Sequence, residues 1–239
     1  MPRKPTLLLL AALCCATYAA PARAQEQVET RQLTGADADS LRAALLCEEG
    51  RGHAAAGRGG GAGAAGAAFA QGVKLYLRIY LKERPPAPSA PAAFRAQLRG
   101  WLEGAPRCVD DYLALGVGTP FEREQLEAFR GQAQAVTETD ESRAVFLGTE
   151  ADVRARITHK PEPGFTEEAR RNNVRGRVRL RAVLAADGAV RHILVLEGLP
   201  HGMTEECVNA ALGIRFTPAV KGGRPVSQFV MLEYNFNTY

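Results

Sequence analysis

Any chemistry in this 239-residue chain would have to come from four histidines, five cysteines and a few acidic pairs, and none of them has a reactive spacing. His53, His159, His192 and His201 are scattered, with no i, i+4 pair and no ligand cysteine nearby, whereas a zinc site needs its ligands clustered. No serine sits in a G-x-S-x-G turn, and no phosphate-binding Gly-x-x-x-x-Gly-Lys loop occurs. Gly61-Ala-Gly63-Ala-Ala-Gly66 is a literal G-x-G-x-x-G. The residues before it form no strand pattern, so its amides would have no dinucleotide fold to serve. Glu167/Glu168 and Glu205/Glu206 open predicted helices, where the helix dipole accounts for acids. Adjacent helical residues point apart, so neither pair makes an acid–base dyad. The residues therefore imply no catalytic group, no cofactor and no metal.

The cysteines carry a different message. Arg3-Lys4, an apolar run from Thr6 to Ala20 and Ala22-Arg23-Ala24 before Gln25 have the layout of an export signal, residues 1–24, cleaved after Ala24. The run is shorter than the ~20 residues that span a bilayer. The alternative is an uncleaved anchor that holds the chain in the inner membrane facing the periplasm. Cys14 and Cys15 follow Leu13 and Cys14, not the small residues a lipoprotein signal uses, so lipidation is not expected. Export to an oxidising compartment leaves Cys47, Cys108 and Cys207. Cys207 falls on a predicted C-terminal helix as an inert buried thiol, and Cys47 and Cys108 share the N-terminal region. The expected disulfide is therefore Cys47–Cys108.

Of the 30 basic residues, Arg3, Lys4 and Arg23 lie in the first 24, which hold no acid, so the remainder carries 27 basic against 26 acidic groups. That balance gives no electrostatic argument for nucleic acid or for an anionic membrane.

The elements that would position these residues follow in order. Asp39 or Ser40 is expected to cap a short helix through Leu41, Ala44, Leu45 and Cys47. Gly50 to Ala68 reads as a flexible Gly/Ala tether, so that 25–68 is a short helix plus linker. Residues 69–147 form a middle region that is mainly helical. Within it, Gln71–Leu81 alternates with period two but is also compatible with a helix, and Arg84 to Pro91 breaks regular structure. Phe94, Leu98, Trp101 and Leu102 recur at helical spacing, and Thr119-Pro120 opens a further helix.

From residue 150 the texture changes. Thr166 caps a short helix, and Arg177–Ala185 and Val190–Glu197 form a hairpin around Asp187-Gly188, expected as a type I′ turn with Leu180 opposite Val195. Thr204 is expected to cap a second helix through Leu212, and Val226–Phe236 is a last strand. Helix, strand, strand, helix, strand gives an α+β fold: a three-stranded antiparallel sheet with two helices on one face.

That order closely resembles the TonB C-terminal domain family. The residues that carry the resemblance are Lys160-Pro-Glu-Pro-Gly-Phe165 with Glu167, Glu168 and Ala169, then Gly176-Arg-Val178 and Ala186-Asp-Gly-Ala-Val190 with Ile193 and Val195. Arg215-Phe-Thr-Pro218, Gly223-Arg-Pro-Val226 and Asn235-Phe236 complete it, and the match spans about residues 157–236. The resemblance implies a non-enzymatic periplasmic module that pairs by β-strand addition with outer-membrane transporters or other envelope proteins, and in TonB itself couples to an ExbB/ExbD-like motor. Two departures count against a true transducer: Thr6–Ala20 holds no histidine, and no long Pro-rich spacer is present. The alternatives are that membrane-anchored transducer, or a ligand-binding or enzymatic middle domain with the TonB-like module as adaptor.

Strand addition needs an edge with unpaired N–H and C=O groups. The expected partner-binding residues are Val226, Ser227, Gln228, Phe229, Val230, Met231, Leu232, Glu233, Tyr234, Asn235 and Phe236, with proline at Leu232 expected to weaken binding. The same edge could instead pair two copies in a homodimer.

Overall fold

The computed structural model describes residues 35–56, 61–82, 91–140 and 142–236, which belong to one compact unit. The export signal and most of the Arg84–Pro91 break lie outside the described residues.

Five helices come first: α1 Gly35–Ala55, α2 Gly61–Lys82, α3 Pro91–Leu102, α4 Ala105–Ala114 and α5 Pro120–Thr137. The Gly/Ala stretch expected to be a tether is instead helix over residues 50–55 in α1 and from Gly61 onward in α2. Its small residues allow close approach, which a composition argument misses. Ala36, Ala43, Cys47 and Gly50 line the buried face of α1. A Cβ on Gly50 would sit 2.8 Å from the Phe69 ring, and one on Gly72 would sit 2.6 Å from Cys47 Sγ. The expected stripe of Leu41 and Leu45 is on the opposite, exposed face of α1. Nor do Asp39 and Ser40 act as caps. Asp39 pairs with Arg78, and the Ser40 hydroxyl donates to the Trp101 carbonyl. In α2 the period-two pattern of Gln71–Leu81 gives way to a helical one, with Phe69, Val73, Tyr76, Ile79 and Tyr80 buried at steps of three and four. Phe94, Leu98, Trp101 and Leu102 are buried on α3 as their spacing implies. On α5, Thr119 and Glu122 form a reciprocal capping box with Pro120 in the first turn.

The remaining chain builds the sheet from β1 Val145–Phe146, β3 Gly176–Leu184, β4 Val190–Glu197, β6 Ala219–Lys221 and β7 Arg224–Phe236. The order is β1-β7-β3-β4, with β6 also pairing with β7. A separate two-stranded ribbon joins β2 Arg156–His159 to β5 Arg215–Thr217. The expected three-stranded sheet is thus its centre, β7-β3-β4, and the short strands β1 and β6 extend it. Helices α6 Glu167–Arg171 and α7 Met203–Leu212 cover one face. Thr166 caps α6, but Thr204 does not cap α7. It sits inside that helix, and its hydroxyl bonds both the amide and the carbonyl of Leu199.

At the hairpin tip the expected type I′ turn is replaced by a three-residue loop. Ala185 N–H donates to Ala189 O, Gly188 N–H donates to Ala185 O, and of Asp187 and Gly188 only the glycine has positive φ (89°). Asp187 instead accepts from Ala189 N–H and from the Arg191 guanidinium, which holds its carboxyl down at about 2. Leu180 still faces Val195, because β4 carries register shifts on either side of that stretch. The second shift falls at His192, which takes φ 51°. Beyond it, ordinary alternation sends Ile193 into the core under α6 and α7 and Leu194 into the core of the helical region. The sheet is therefore buried on both faces along β4.

Candidate strand-docking edge

The second face decides where Arg179 and Arg181 point. Arg181 lies over the Tyr80 ring at 4.8 Å, and Arg179 is 4.0 Å from Glu197. Gln132 of α5 is fully buried between helices and sheet. Its Oε1 accepts from the Tyr80 hydroxyl at 2.7 Å, and its Nε2 donates to the carbonyls of Arg181 and His192.

Gln125, two turns earlier on α5, does something more specific. Its Nε2 donates to Ile193 O at 3.3 Å and its Oε1 accepts from Val195 N–H at 2.7 Å. One carboxamide thus supplies a donor and an acceptor as a neighbouring strand would. Gln125 occupies the outer edge of β4, whereas Gln132 fills the gap that the register shift opens between β3 and β4.

The other edge is β7. Its inner side pairs with β3 without a break, Gly176–Leu184 against Phe236–Gln228. The Ala185–Ala189 bond shows that odd-numbered residues of β3 turn their peptide groups toward β4, so the even ones serve β7. By the same register the even residues of β7 face β3. The peptide groups of Phe229, Met231, Glu233 and Asn235 consequently point outward. Val226, Ser227 and Gln228, expected as part of the docking edge, are already paired: Val226 with Ala219 of β6, and Ser227 and Gln228 in parallel with Val145 and Phe146 of β1. From Phe229 onward no described strand pairs with the outer side. The Glu233 carbonyl there accepts from Lys160 Nζ, whose ammonium also lies 4.1 Å from the Tyr234 ring centre. Side chains alternate along this run, with Leu232, Tyr234 and Phe236 buried and Met231, Glu233 and Asn235 exposed.

β1 stops at Phe146 because the chain turns away. Glu150 N–H bonds Leu147 O, and the Glu150 carboxylate is held by the Arg95 guanidinium and accepts from Leu147 N–H. Arg95 also donates to Val145 O, and both it and Lys221 lie against the Phe146 ring. An ion pair from the helical region therefore ends β1 where the open edge begins.

A family model described as Gram-negative bacterial TonB protein C-terminal matches residues 161–238. That segment is a TonB C-terminal domain. A solution NMR structure of the Pseudomonas aeruginosa TonB C-terminal domain is similar at 27% identity, covering 36% of this chain and 89% of that one, with a TM-score of 0.31. No curated protein matches the chain. Within the TonB C-terminal domain, Cys207 is buried under the sheet and burial pushes its thiol up to about 12, so it is no nucleophile. Among the described residues no cluster of His, Cys, Asp or Glu could hold a metal ion. Gly61–Ala–Gly63–Ala–Ala–Gly66 is the opening of α2, and among the described residues no strand comes before it. The roles of Gln125 at the β4 edge and of Gln132 in the β4 bulge were not legible in the sequence, since nothing in a glutamine's spacing marks it as a partner for strand backbone.

The bulge in β4 is expected to make stability respond to pH. A Cβ on Gly131 would fall 2.1 Å from His192 Nδ1, so the ring fills the space that glycine leaves on α5. Although His192 keeps part of its surface in solvent, partial desolvation against α5, followed by the charges of Arg191 and Arg130, holds its imidazole below its ordinary pKa. The unfolded chain binds a proton near pH ~6.5 that the folded chain resists, so stability present at neutral pH is lost as the pH falls below that value. The urea midpoint is expected to decline between about pH 7 and 5, and to decline less in His192→Asn, since asparagine tolerates positive φ. Parallel declines in the two proteins would assign the effect elsewhere.

Proposed function

We propose that this is an exported envelope protein that takes up one strand of an outer-membrane transporter, or of another envelope protein, along the outer edge of β7 from Phe229 to Phe236. The process it serves is energised transport across the outer membrane. The observation that carries the reading is the asymmetry of the sheet. Its β4 edge is bonded by Gln125 at Ile193 and Val195, whereas no described strand pairs with the outer side of β7 from Phe229 to Phe236. Main-chain hydrogen bonds along such an edge provide affinity without any catalytic group. Membership of residues 161–238 in the TonB C-terminal family supports the class of partner. The Cys47–Cys108 disulfide supports an oxidising compartment.

The test is a substitution that spoils the edge and spares the fold. Proline at Leu232, the choice suggested by alternation alone, does not qualify. Leu232 is buried opposite Leu180, and its peptide group faces β3. Met231 is 50% exposed and its N–H points outward, where proline removes a donor from the open side only. Met231→Pro is expected to weaken binding of a peptide from the N-terminal plug segment of a transporter by at least about tenfold, read by fluorescence anisotropy. Circular dichroism should remain that of the parent. Unchanged affinity in that folded variant would remove the site.

A further inference from the structure

The β2–β5 ribbon carries charge of one sign. Residues 153–160 and 215–221 hold Arg154, Arg156, Lys160, Arg215 and Lys221 and no carboxylate. Arg156 pairs with Thr217 across the ribbon, and Val153 pairs with Val220 in the same register. Alternation therefore puts Arg154, Arg156 and Arg215 on one face, and Ile157 with Phe216 on the other. Phe216 packs against the core beneath α7, so the arginine face is turned away from that core. All three arginines are exposed, and among the described residues none has an ion-pair partner. Arg154 is steadied by a bond from its Nε to Gly148 O at 2.9 Å, which leaves its terminal nitrogens for a ligand. Carboxylates in the adjoining chain do not neutralise the face. Glu150 is taken by Arg95, and Asp152 accepts from Gly222 N–H. Glu162 and Glu233 are exposed, and neither is ion-paired with a ribbon cation. The ribbon also runs beside the open edge of β7. Ala155 N–H donates to the Gln228 side chain at one end, and Lys160 Nζ donates to Glu233 O at the other.

We propose that this ribbon is a docking surface for an acidic extended peptide, its arginines taking carboxylates of the partner segment that enters along β7. The inference rests on the strand-docking reading for where the partner lies, and adds a charge requirement to it. Charge complementarity and position select the occupant. Guanidinium groups bind carboxylates through paired N–H donors, and clusters of arginine are a common means of reading acidic motifs. Arg154 and Arg156 stand two residues apart along one strand, a repeat of roughly 7 Å. Alternate side chains of an extended peptide recur at that same spacing, so carboxylates at positions i and i+2 of the partner match the two arginines.

Fluorescence anisotropy tests it, using the chain from Gln25, which keeps every core residue because all lie at or after Ala36. Two peptides share one uncharged strand segment, flanked on both sides by Asp-x-Asp in the first and by Asn-x-Asn in the second. The Asp peptide is expected to bind about tenfold more tightly at low salt, with the advantage shrinking in high salt. Arg154→Gln/Arg156→Gln/Arg215→Gln should abolish the preference and leave affinity for the Asn peptide unchanged. These positions are exposed, so the circular dichroism of the parent should be retained. Equal affinity for the two peptides in the parent, or a preference that survives in the triple variant, overturns the proposal. Either result leaves the strand reading standing, because Met231→Pro tests that reading on the Asn peptide. If Met231→Pro leaves the Asn peptide unaffected while the triple variant still loses the preference, the strand reading alone fails. Binding to phosphatidylglycerol vesicles that the triple variant loses, without discrimination between the peptides, would make the face a lipid site and overturn the proposal as well.

Discussion

Replacing both Cys47 and Cys108 with alanine is expected to lower the unfolding free energy by about 4 kcal/mol. The bond joins α1 to α4 across a sequence separation of 61, so it holds α2 and α3 inside one closed loop. Closing that loop in the unfolded chain removes entropy that grows with the logarithm of its length. The native state gives little of this back. The two Cα atoms stand 5.6 Å apart, within the range a disulfide spans without backbone movement, and both side chains are buried. For a body of this size the change corresponds to a fall in Tm of roughly 8–16 °C. Alanine leaves only small cavities beside Gly72, so lost packing contributes less than lost cross-linking. A loss below about 1 kcal/mol would mean that the reduced, unfolded chain keeps these helices together, contrary to the entropic account.

The sequence was most legible where backbone geometry and side-chain pattern agree. Thr119-Pro120-x-Glu122 names its helix start outright, and the alternation of β3 and β7 places Val178, Leu180, Leu232 and Tyr234 in the core. It was least legible where small residues do the packing. Ala36, Ala43, Gly50 and Gly72 carry almost no hydrophobic signal, yet they let α1 and α2 approach closely, and the large leucines beside them mislead by facing outward. The docking edge was half legible. Alternation located β7, but β1 and β6 take its first residues, and no local pattern reveals which strands will meet across 80 residues of chain. The His192 bulge escaped for a related reason. A histidine in an otherwise regular strand gives no sign that it will take positive φ.

Replacing Gln132 with leucine is the sharpest test of how those two cores are joined. Leucine keeps the volume approximately and removes three hydrogen bonds at once. It leaves the Tyr80 hydroxyl, the Arg181 carbonyl and the His192 carbonyl without that partner in a region where the glutamine was fully buried. Each buried polar group stripped of its bond costs about 1–3 kcal/mol, so a loss of roughly 3–5 kcal/mol is expected, the lower values applying where water can reach His192. The Tyr80 group cannot escape by ionising, since burial holds its hydroxyl at about 12. Tyr80→Phe in the leucine background removes one orphaned group, and a double-mutant cycle should return about 1–2 kcal/mol of coupling between the two positions. Hydrogen exchange should quicken along β4, from Arg191 to Val195, well before it does in β7. The reason is that α5 reaches β4 through Gln125 and Gln132, whereas β7 is held by β3. If exchange rises equally in both strands, Gln132 supports the whole sheet and is not a clasp between α5 and one edge. If the variant loses less than about 1 kcal/mol, the two cores are joined chiefly by Leu194 and its apolar neighbours, and the buried carboxamide matters for register alone.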